Sequence, residues 1–231
     1  MIPIFLAVDT INFDDAAKLL LQVGDEVDIK LGLEFFIAHG PQGCNLIRNL
    51  GTSRPRRLFL DLKLHDIPAT VAGGVKAAMQ IEPDFLTIHC GDGQEAMRKA
   101  VETANQIHSF FHLKRPKLLG VTLLTSEEPN QLLVIQRAHN AFQSGMDGLV
   151  CSASDAGMLR QRYSDPINTW GAMFLMVPGI RSAGSETHDQ VRVATAREAM
   201  DAGADALVIG RDIRNAADPA AAARTIKETL R

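Results

Sequence analysis

The sequence predicts a single (β/α)8 barrel over residues 1–231, with its functional site at the carboxyl ends of the strands. Eight short apolar runs recur along the chain, and an amphipathic segment follows each of them. Eight such units give about 29 residues per unit, near the size of one strand–helix repeat. No composition break or linker separates the units, so one domain is expected.

The apolar runs are nearly continuous rather than alternating, which is typical of strands buried on both faces. An open doubly wound sheet is the structural alternative, but it usually has a glycine-rich first turn. Asp9-Thr10-Ile11-Asn12 follows the first run instead, which favours the barrel. The eight predicted strands are Ile4–Val8, Val27–Leu31, Arg57–Leu62, Phe85–His89, Lys117–Leu123, Gly148–Cys151, Ala172–Val177 and Ala206–Ile209.

Capping patterns predict where four of the intervening helices begin. The predicted N-caps are Asn12, Asp92 with Glu95, Thr195 with Glu198, and Asp218 before Pro219; Gly24 is expected to end the first helix. After the seventh strand the rhythm changes, because a polar segment from Arg181 to Ala194 precedes the next cap. Long loops of this kind are commonly lids or binding loops, and we expect a lid; the alternative is a surface excursion.

Composition narrows the possible partners and the location. The net charge is -3, from 24 Lys and Arg against 27 Asp and Glu, which argues against nucleic acid and anionic membranes as partners. Cys44, Cys90 and Cys151 are widely spaced and odd in number, as expected for reduced thiols. Asp9 ends the first apolar run too early for a signal peptide or a membrane span. A cytoplasmic protein is expected.

The most informative charged cluster is Asp61-x-Lys63-x-x-Asp66 at the end of the third strand, with Lys30 ending the second. Residues i and i+2 of a strand share a face, so Asp61 and Lys63 should both point toward the barrel mouth. Asp66 lies past the strand and can turn toward a neighbour. Alternating charges in the order Lys30, Asp61, Lys63, Asp66 would keep Lys63 protonated. Such a lysine suits a reaction that forms a carbanion and then needs a proton; a structural ion-pair network is the alternative.

A second cluster predicts a phosphate site. Gly179-x-Arg181 and Gly210-Arg211 follow the seventh and eighth strands, where barrels of this class commonly bind phosphate. Glycines let main-chain N–H groups approach the oxygens, and guanidinium groups add charge-assisted hydrogen bonds. We therefore expect a phosphorylated small molecule as ligand.

A metal site is not expected. His65, His89 and His188 show no metal-ligand spacing, although Asp61 and Asp66 could hold Mg²⁺ together with a phosphorylated sugar.

From Phe5 onward, the sequence resembles the orotidine 5'-monophosphate decarboxylase family. No single motif is specific, but the full set in this order is. The matching segments are Leu6-Ala7-Val8-Asp9, Ile29 to Glu34, Phe59 to Val71, Val121 to Ser126, Pro178-Gly179-Ile180-Arg181, Asp189-Gln190 and Leu207 to Ile213.

The resemblance implies cofactor-free decarboxylation of orotidine 5'-monophosphate to uridine 5'-monophosphate, the last step of pyrimidine nucleotide synthesis. It implies that Lys63 donates the proton to C6, that Asp61 lies beside the departing carboxylate, and that Lys30 and Asp9 hold the ribose. Either Thr122 or Thr125 would lie near the pyrimidine. The phosphate would be held by Arg181, Gly210, Arg211 and, on the lid, Gln190.

The resemblance also implies a homodimer in which Asp66, Ile67 and Thr70 act in the partner subunit's site. Two other functions stay open from the residues. One is a Mg²⁺-dependent sugar-phosphate enzyme of the same superfamily, which shares Asp-x-Lys-x-x-Asp; the other is a non-catalytic nucleotide-binding module.

Overall fold

A computed structural model describes residues 2–124, 126–162, 173–182 and 193–230. In these residues eight parallel strands pair in chain order and close into a barrel, which confirms the predicted fold class. The bounds of β1, β4 and β8 match the prediction, and the others shift by one or two residues or end early. The strands are β1 Ile4–Val8, β2 Asp28–Gly32, β3 Leu58–Leu64, β4 Phe85–His89, β5 Lys117–Val121, β6 Gly148–Val150, β7 Phe174–Val177 and β8 Ala206–Ile209.

Helices lie between the strands and cover the barrel. None of those in the described ranges is long and apolar enough to cross a membrane. They are α1 Phe13–Val23, α2 Leu33–Arg48, α3 Pro68–Ala78, α4 Gln94–Phe111, α5 Gln131–Gln143, α6 Ala153–Arg162, α7 Ala196–Asp201, α8 Arg211–Arg214 and α9 Pro219–Glu228.

Three of the four predicted helix starts are confirmed. The Asn12 side chain accepts the N–H groups of the first turn of α1, which ends at Gly24 with φ 54°. Thr195 and Glu198 form a reciprocal capping box at α7, and Asp218 caps α9. These side chains satisfy main-chain donors that have no partner inside the helix.

The fourth predicted start, Asp92 with Glu95, is wrong. Helix α4 begins at Gln94, and its N-cap is Gly93 with φ 80°. A positive φ costs glycine little, so the chain turns at Gly93 and the helix begins at the next residue.

The barrel interior is filled at the amino ends of the strands, so the site can open only at the other end. Phe5 packs edge-to-face on Phe59 and Phe85, with ring centroids 6.1 and 5.5 Å away. Apolar side chains from five strands complete this inner layer: Ala7, Leu119, Val121, Val150, Met176, Ala206 and Val208. The outer face of the strands packs against the helices in a separate, larger core.

The two ends of the predicted lid are held together. The Arg181 N–H donates to the Ala194 carbonyl at 2.9 Å, and the Ala194 N–H donates to the Gly179 carbonyl at 3.1 Å. Residues 183–192, which include Gln190, lie outside the described residues, so the lid itself stays a prediction.

Candidate active site

A cavity of about 600 Å³ opens at the carboxyl ends of the strands. Its lining combines charged side chains near the mouth with the apolar inner layer below. Seven of the predicted site residues line it: Asp9, Lys30, Asp61, Lys63, Arg181, Gly210 and Arg211. Residues at the carboxyl ends of five strands therefore come together in one cavity.

The lysines and aspartates that line the cavity form two pairs. The Lys63 Nζ lies 2.6 Å from Asp61 Oδ2, and the Lys30 Nζ lies 2.5 Å from Asp9 Oδ1. Lys30 therefore pairs with Asp9. The predicted alternating order had placed Lys30 next to Asp61 instead. The Lys63 side chain is 37% exposed and that of Lys30 is 10% exposed, so Lys63 is the more accessible to a ligand.

Strand β3 is irregular where it carries Asp61 and Lys63. Leu60 pairs with Leu86 and Leu64 pairs with Ile88, so three residues of β3 lie opposite one residue of β4. Lys63 adopts φ 49°, a left-handed conformation that costs a non-glycine residue about 1 to 3 kcal/mol. Such strain is concentrated at functional sites, and here it turns the lysine toward the neighbouring carboxylate.

The opposite wall of the cavity carries the side chains and glycines that are predicted to bind phosphate. Gly179 has φ 79°, and this turn after β7 leads directly into Arg181, which is only 7% exposed. The Arg181 Nη1 donates to the Ile180 carbonyl at 2.9 Å, and its Nε lies 3.9 Å from Asp212 Oδ1. Asp212 also accepts the Ser182 N–H, so it ties the start of the lid segment to α8.

Two polar residues that line the cavity, Arg214 and Ser126, were missed by the sequence analysis. Arg214 donates to the Asp9 carbonyl at 2.7 Å, joining α8 to the end of β1. Ser126 lines the cavity, whereas Thr122 is fully buried and its hydroxyl donates to the Val150 carbonyl at 3.1 Å. Thr125 lies outside the described residues. The hydroxyls of the Val121-to-Ser126 motif were the available signal for Ser126.

The residues predicted to act across a dimer interface are exposed and do not line the cavity of their own chain. The Asp66 Oδ1 accepts the Ile67 N–H at 2.7 Å, and Ile67 is 66% exposed just before α3, which also carries Thr70. Ile11, Leu33 and Ile37 are also exposed, and they line a depression beside Lys30 and Lys63. An apolar rim of this kind is typical of a protein–protein contact.

Comparisons with known proteins agree on one family. The family model described as "Orotidine 5'-phosphate decarboxylase / HUMPS family" matches residues 3–226. The chain is 42% identical to the orotidine 5'-phosphate decarboxylase of Rhodospirillum rubrum, over 97% of this chain and 92% of that protein. It is 40% identical to that of Novosphingobium aromaticivorans, over 99% of both. A crystal structure of the Lactobacillus acidophilus decarboxylase superposes with a TM-score of 0.82 at 31% identity, over 100% of this chain and 99% of that one.

Proposed function

The chain belongs to the orotidine 5'-phosphate decarboxylase / HUMPS family, and we propose that it decarboxylates orotidine 5'-monophosphate to uridine 5'-monophosphate, the last step of pyrimidine nucleotide synthesis. The observation that carries this proposal is the Lys63–Asp61 pair on one wall of a cavity whose opposite wall bears Arg181 and Arg211. A carbanion-stabilising ammonium thus stands opposite a phosphate-binding wall.

The chemical step follows from the position of Lys63. When the C6–carboxylate bond breaks, CO₂ leaves and the electron pair stays on C6. The Lys63 ammonium stabilises this developing negative charge and then gives C6 its proton. Asp61 aligns the lysine before the substrate arrives, because it accepts a hydrogen bond from Nζ at 2.6 Å.

The apolar inner layer strengthens this electrostatic effect. Phe59, Val121, Val150 and Val208 line the cavity below the charged groups. A charge interacts more strongly where water is excluded, so an ammonium above an apolar floor stabilises a carbanion better than one in water.

The rest of the nucleotide is held at a distance from C6. We propose that Lys30 and Asp9 bind ribose hydroxyls, and that Arg181, Gly210, Arg211 and, on the lid, Gln190 bind the phosphate. Binding energy from the remote phosphate can be used in the transition state when the lid closes. Ser126 or Thr125 is the hydroxyl proposed for the pyrimidine, since that of Thr122 faces a main-chain carbonyl.

The working unit is proposed to be a homodimer in the cytoplasm, with Asp66, Ile67 and Thr70 completing the partner's site. The exposed apolar rim beside Lys30 and Lys63 supports the dimer. Cys44, Cys90 and Cys151 are all buried, and reduced thiols are usual in cytoplasmic proteins.

The test is turnover of orotidine 5'-monophosphate by the purified protein in EDTA, followed by ultraviolet absorbance, with Lys63→Ala in parallel. We expect metal-independent turnover in the wild type and a loss of more than about 10³-fold in kcat in the variant, because both the charge and the proton donor are removed. Binding of uridine 5'-monophosphate should persist in Lys63→Ala, which separates lost chemistry from lost folding.

The sister activity gives the opposite result. If the wild type leaves orotidine 5'-monophosphate unchanged but converts sugar phosphates when Mg²⁺ is added, the chain acts as a sugar-phosphate enzyme of the same superfamily. Binding of the nucleotide without any turnover would instead indicate a binding module.

A further inference from the structure

Thr87 of β4 lies opposite the irregular part of β3. It is fully buried, and Phe85, two residues earlier on the same strand, packs in the barrel interior. Because side chains two residues apart share a face of a strand, Thr87 also faces the interior, directly beneath the cavity.

The Thr87 hydroxyl makes two hydrogen bonds, one to each member of the Lys63–Asp61 pair. It accepts the main-chain N–H of Lys63 at 2.8 Å and donates to Asp61 Oδ1 at 2.9 Å. Asp61 uses its other oxygen, Oδ2, for the Lys63 ammonium at 2.6 Å. The three groups thus form a closed ring of contacts around the reacting lysine.

The hydrogen bond from the Lys63 N–H to the Thr87 hydroxyl takes the place of a main-chain hydrogen bond between β3 and β4. Lys63 is one of the extra residues of β3, so its main-chain N–H is out of register with β4. The Thr87 hydroxyl supplies the acceptor that this buried donor needs. A main chain at φ 49° is otherwise poorly favoured for lysine, so this contact helps to hold the strained conformation.

We propose that Thr87 is a positioning residue for the decarboxylation, fixing the Lys63 main chain and the Asp61 carboxylate with one hydroxyl. It acts through Lys63 and Asp61 and does not line the cavity. The inference rests on the proposed function, because it concerns the same reacting groups. It predicts that the hydroxyl, and not the shape of the side chain, is required for the chemical step.

Thr87→Val and Thr87→Ser separate these two properties. Valine keeps the branched shape and removes the hydroxyl, whereas serine keeps the hydroxyl and removes a methyl group. We expect Thr87→Val to lower kcat on the order of tenfold to a hundredfold, the usual effect of losing a hydrogen bond to a charged group. KM and the Kd for uridine 5'-monophosphate should change less than about threefold, and Thr87→Ser should restore most of kcat.

Ser144→Ala is the matched control. The Ser144 side chain is also a buried hydroxyl, but it donates to the Asn140 carbonyl near the end of α5 and to the Gln94 carbonyl at the start of α4, away from the cavity. We expect this variant to lose thermal stability to a similar extent while kcat stays at the wild-type value. A crystal structure of Thr87→Val should show the Lys63 Nζ–Asp61 contact lengthened or Lys63 out of its left-handed conformation.

Two outcomes would overturn the inference. If Thr87→Val has the wild-type kcat, the hydroxyl is dispensable. If Thr87→Ser loses as much kcat as Thr87→Val, the role of Thr87 is only packing. Either result leaves the proposed function intact if the wild type turns over. A wild type without turnover overturns the proposed function and the role of Thr87 with it.

Discussion

At the residue scale, Arg56 is fully buried although it carries a positive charge. Its guanidinium donates to the carbonyls of Leu20 and Gly24 at the end of α1, at 3.1 and 2.6 Å, and to that of Leu50 at 2.5 Å. Burial lowers the pKa of Arg56, and the nearby Asp25 raises it in part. The cation satisfies terminal helix carbonyls and meets the negative end of the helix dipole.

We expect Arg56→Met to lower the free energy of unfolding by about 3 kcal/mol, because three carbonyls lose their donor and methionine offers none. Urea denaturation measures this loss. Arg98→Met, on the exposed face of α4, is the control and should stay within about 0.5 kcal/mol of the wild type. The role given to Arg56 is refuted if both variants unfold at the same urea concentration.

At the scale of elements, the strands share one kind of polar contact at the closed end of the barrel, where they begin. An aspartate lies at or just before the start of each even-numbered strand, and its carboxylate accepts an N–H from a neighbouring odd-numbered strand or from the residue just before that strand. Each also pairs with an arginine, so the contact is charge-assisted. The contacts are Asp28 with the N–H of Arg57 at 2.9 Å, Asp84 with Leu58 at 2.7 Å, Asp147 with Leu118 at 2.8 Å and Asp205 with Leu175 at 2.7 Å. These tethers reinforce parallel pairs that have no hairpin to set their register.

A fifth aspartate ties the turn after α1 to the loop before β3. Asp25 accepts hydrogen bonds from the hydroxyls of Ser53 and Thr52 and from the Ser53 N–H, which lower its pKa from 3.8 to about 2. Since the folded-state pKa is depressed, this contribution to stability is present above pH 3.8 and is lost as the pH falls toward 2.

We therefore expect the stability difference between the wild type and Asp25→Asn to be constant at neutral pH and to shrink between pH 3.8 and about 2. Urea unfolding across this range measures the difference. Glu95→Gln, which removes an exposed carboxylate from α4, provides the baseline. A difference that does not change with pH would contradict the role of the ionised Asp25.

At the scale of the whole molecule, the proposed dimer makes each site depend on two chains. A dimer of one Lys63→Ala chain and one Asp66→Asn chain should contain one intact site, with Lys63 from the second chain and Asp66 from the first. Purified through two different affinity tags, it should show about half of the wild-type activity, whereas each parent homodimer is inactive.

Lys63→Ala paired with Asp61→Asn is the control. Both residues belong to the same side of the site, as their 2.6 Å contact within one chain shows, so the mixed dimer should have no intact site. Activity equal to this control in the Lys63→Ala and Asp66→Asn dimer would place Asp66 in the site of its own chain.

The sequence by itself determined the fold class, most strand positions and most of the residues that make up the site. Burial on both faces leaves a local signature, namely continuous apolar runs, and capping residues mark helix starts within a few positions. Because the parallel strands all end at the same rim of the barrel, the polar residues that follow them could be assigned to one site from the sequence. Asp9, Lys30, Asp61, Lys63, Arg181 and Arg211 were assembled in this way and do line one cavity.

The tertiary structure alone decided how those residues pair and what supports them. The partner of Lys30, the extra residues in β3 and the contacts of Thr87 depend on register between strands, which no single segment encodes. Arg214 and Asp9 meet across a separation of 205 positions, and their contact exists only once the barrel has closed. Local patterns fix which elements form, whereas the geometry of a site is set by long-range contacts that close those elements against one another.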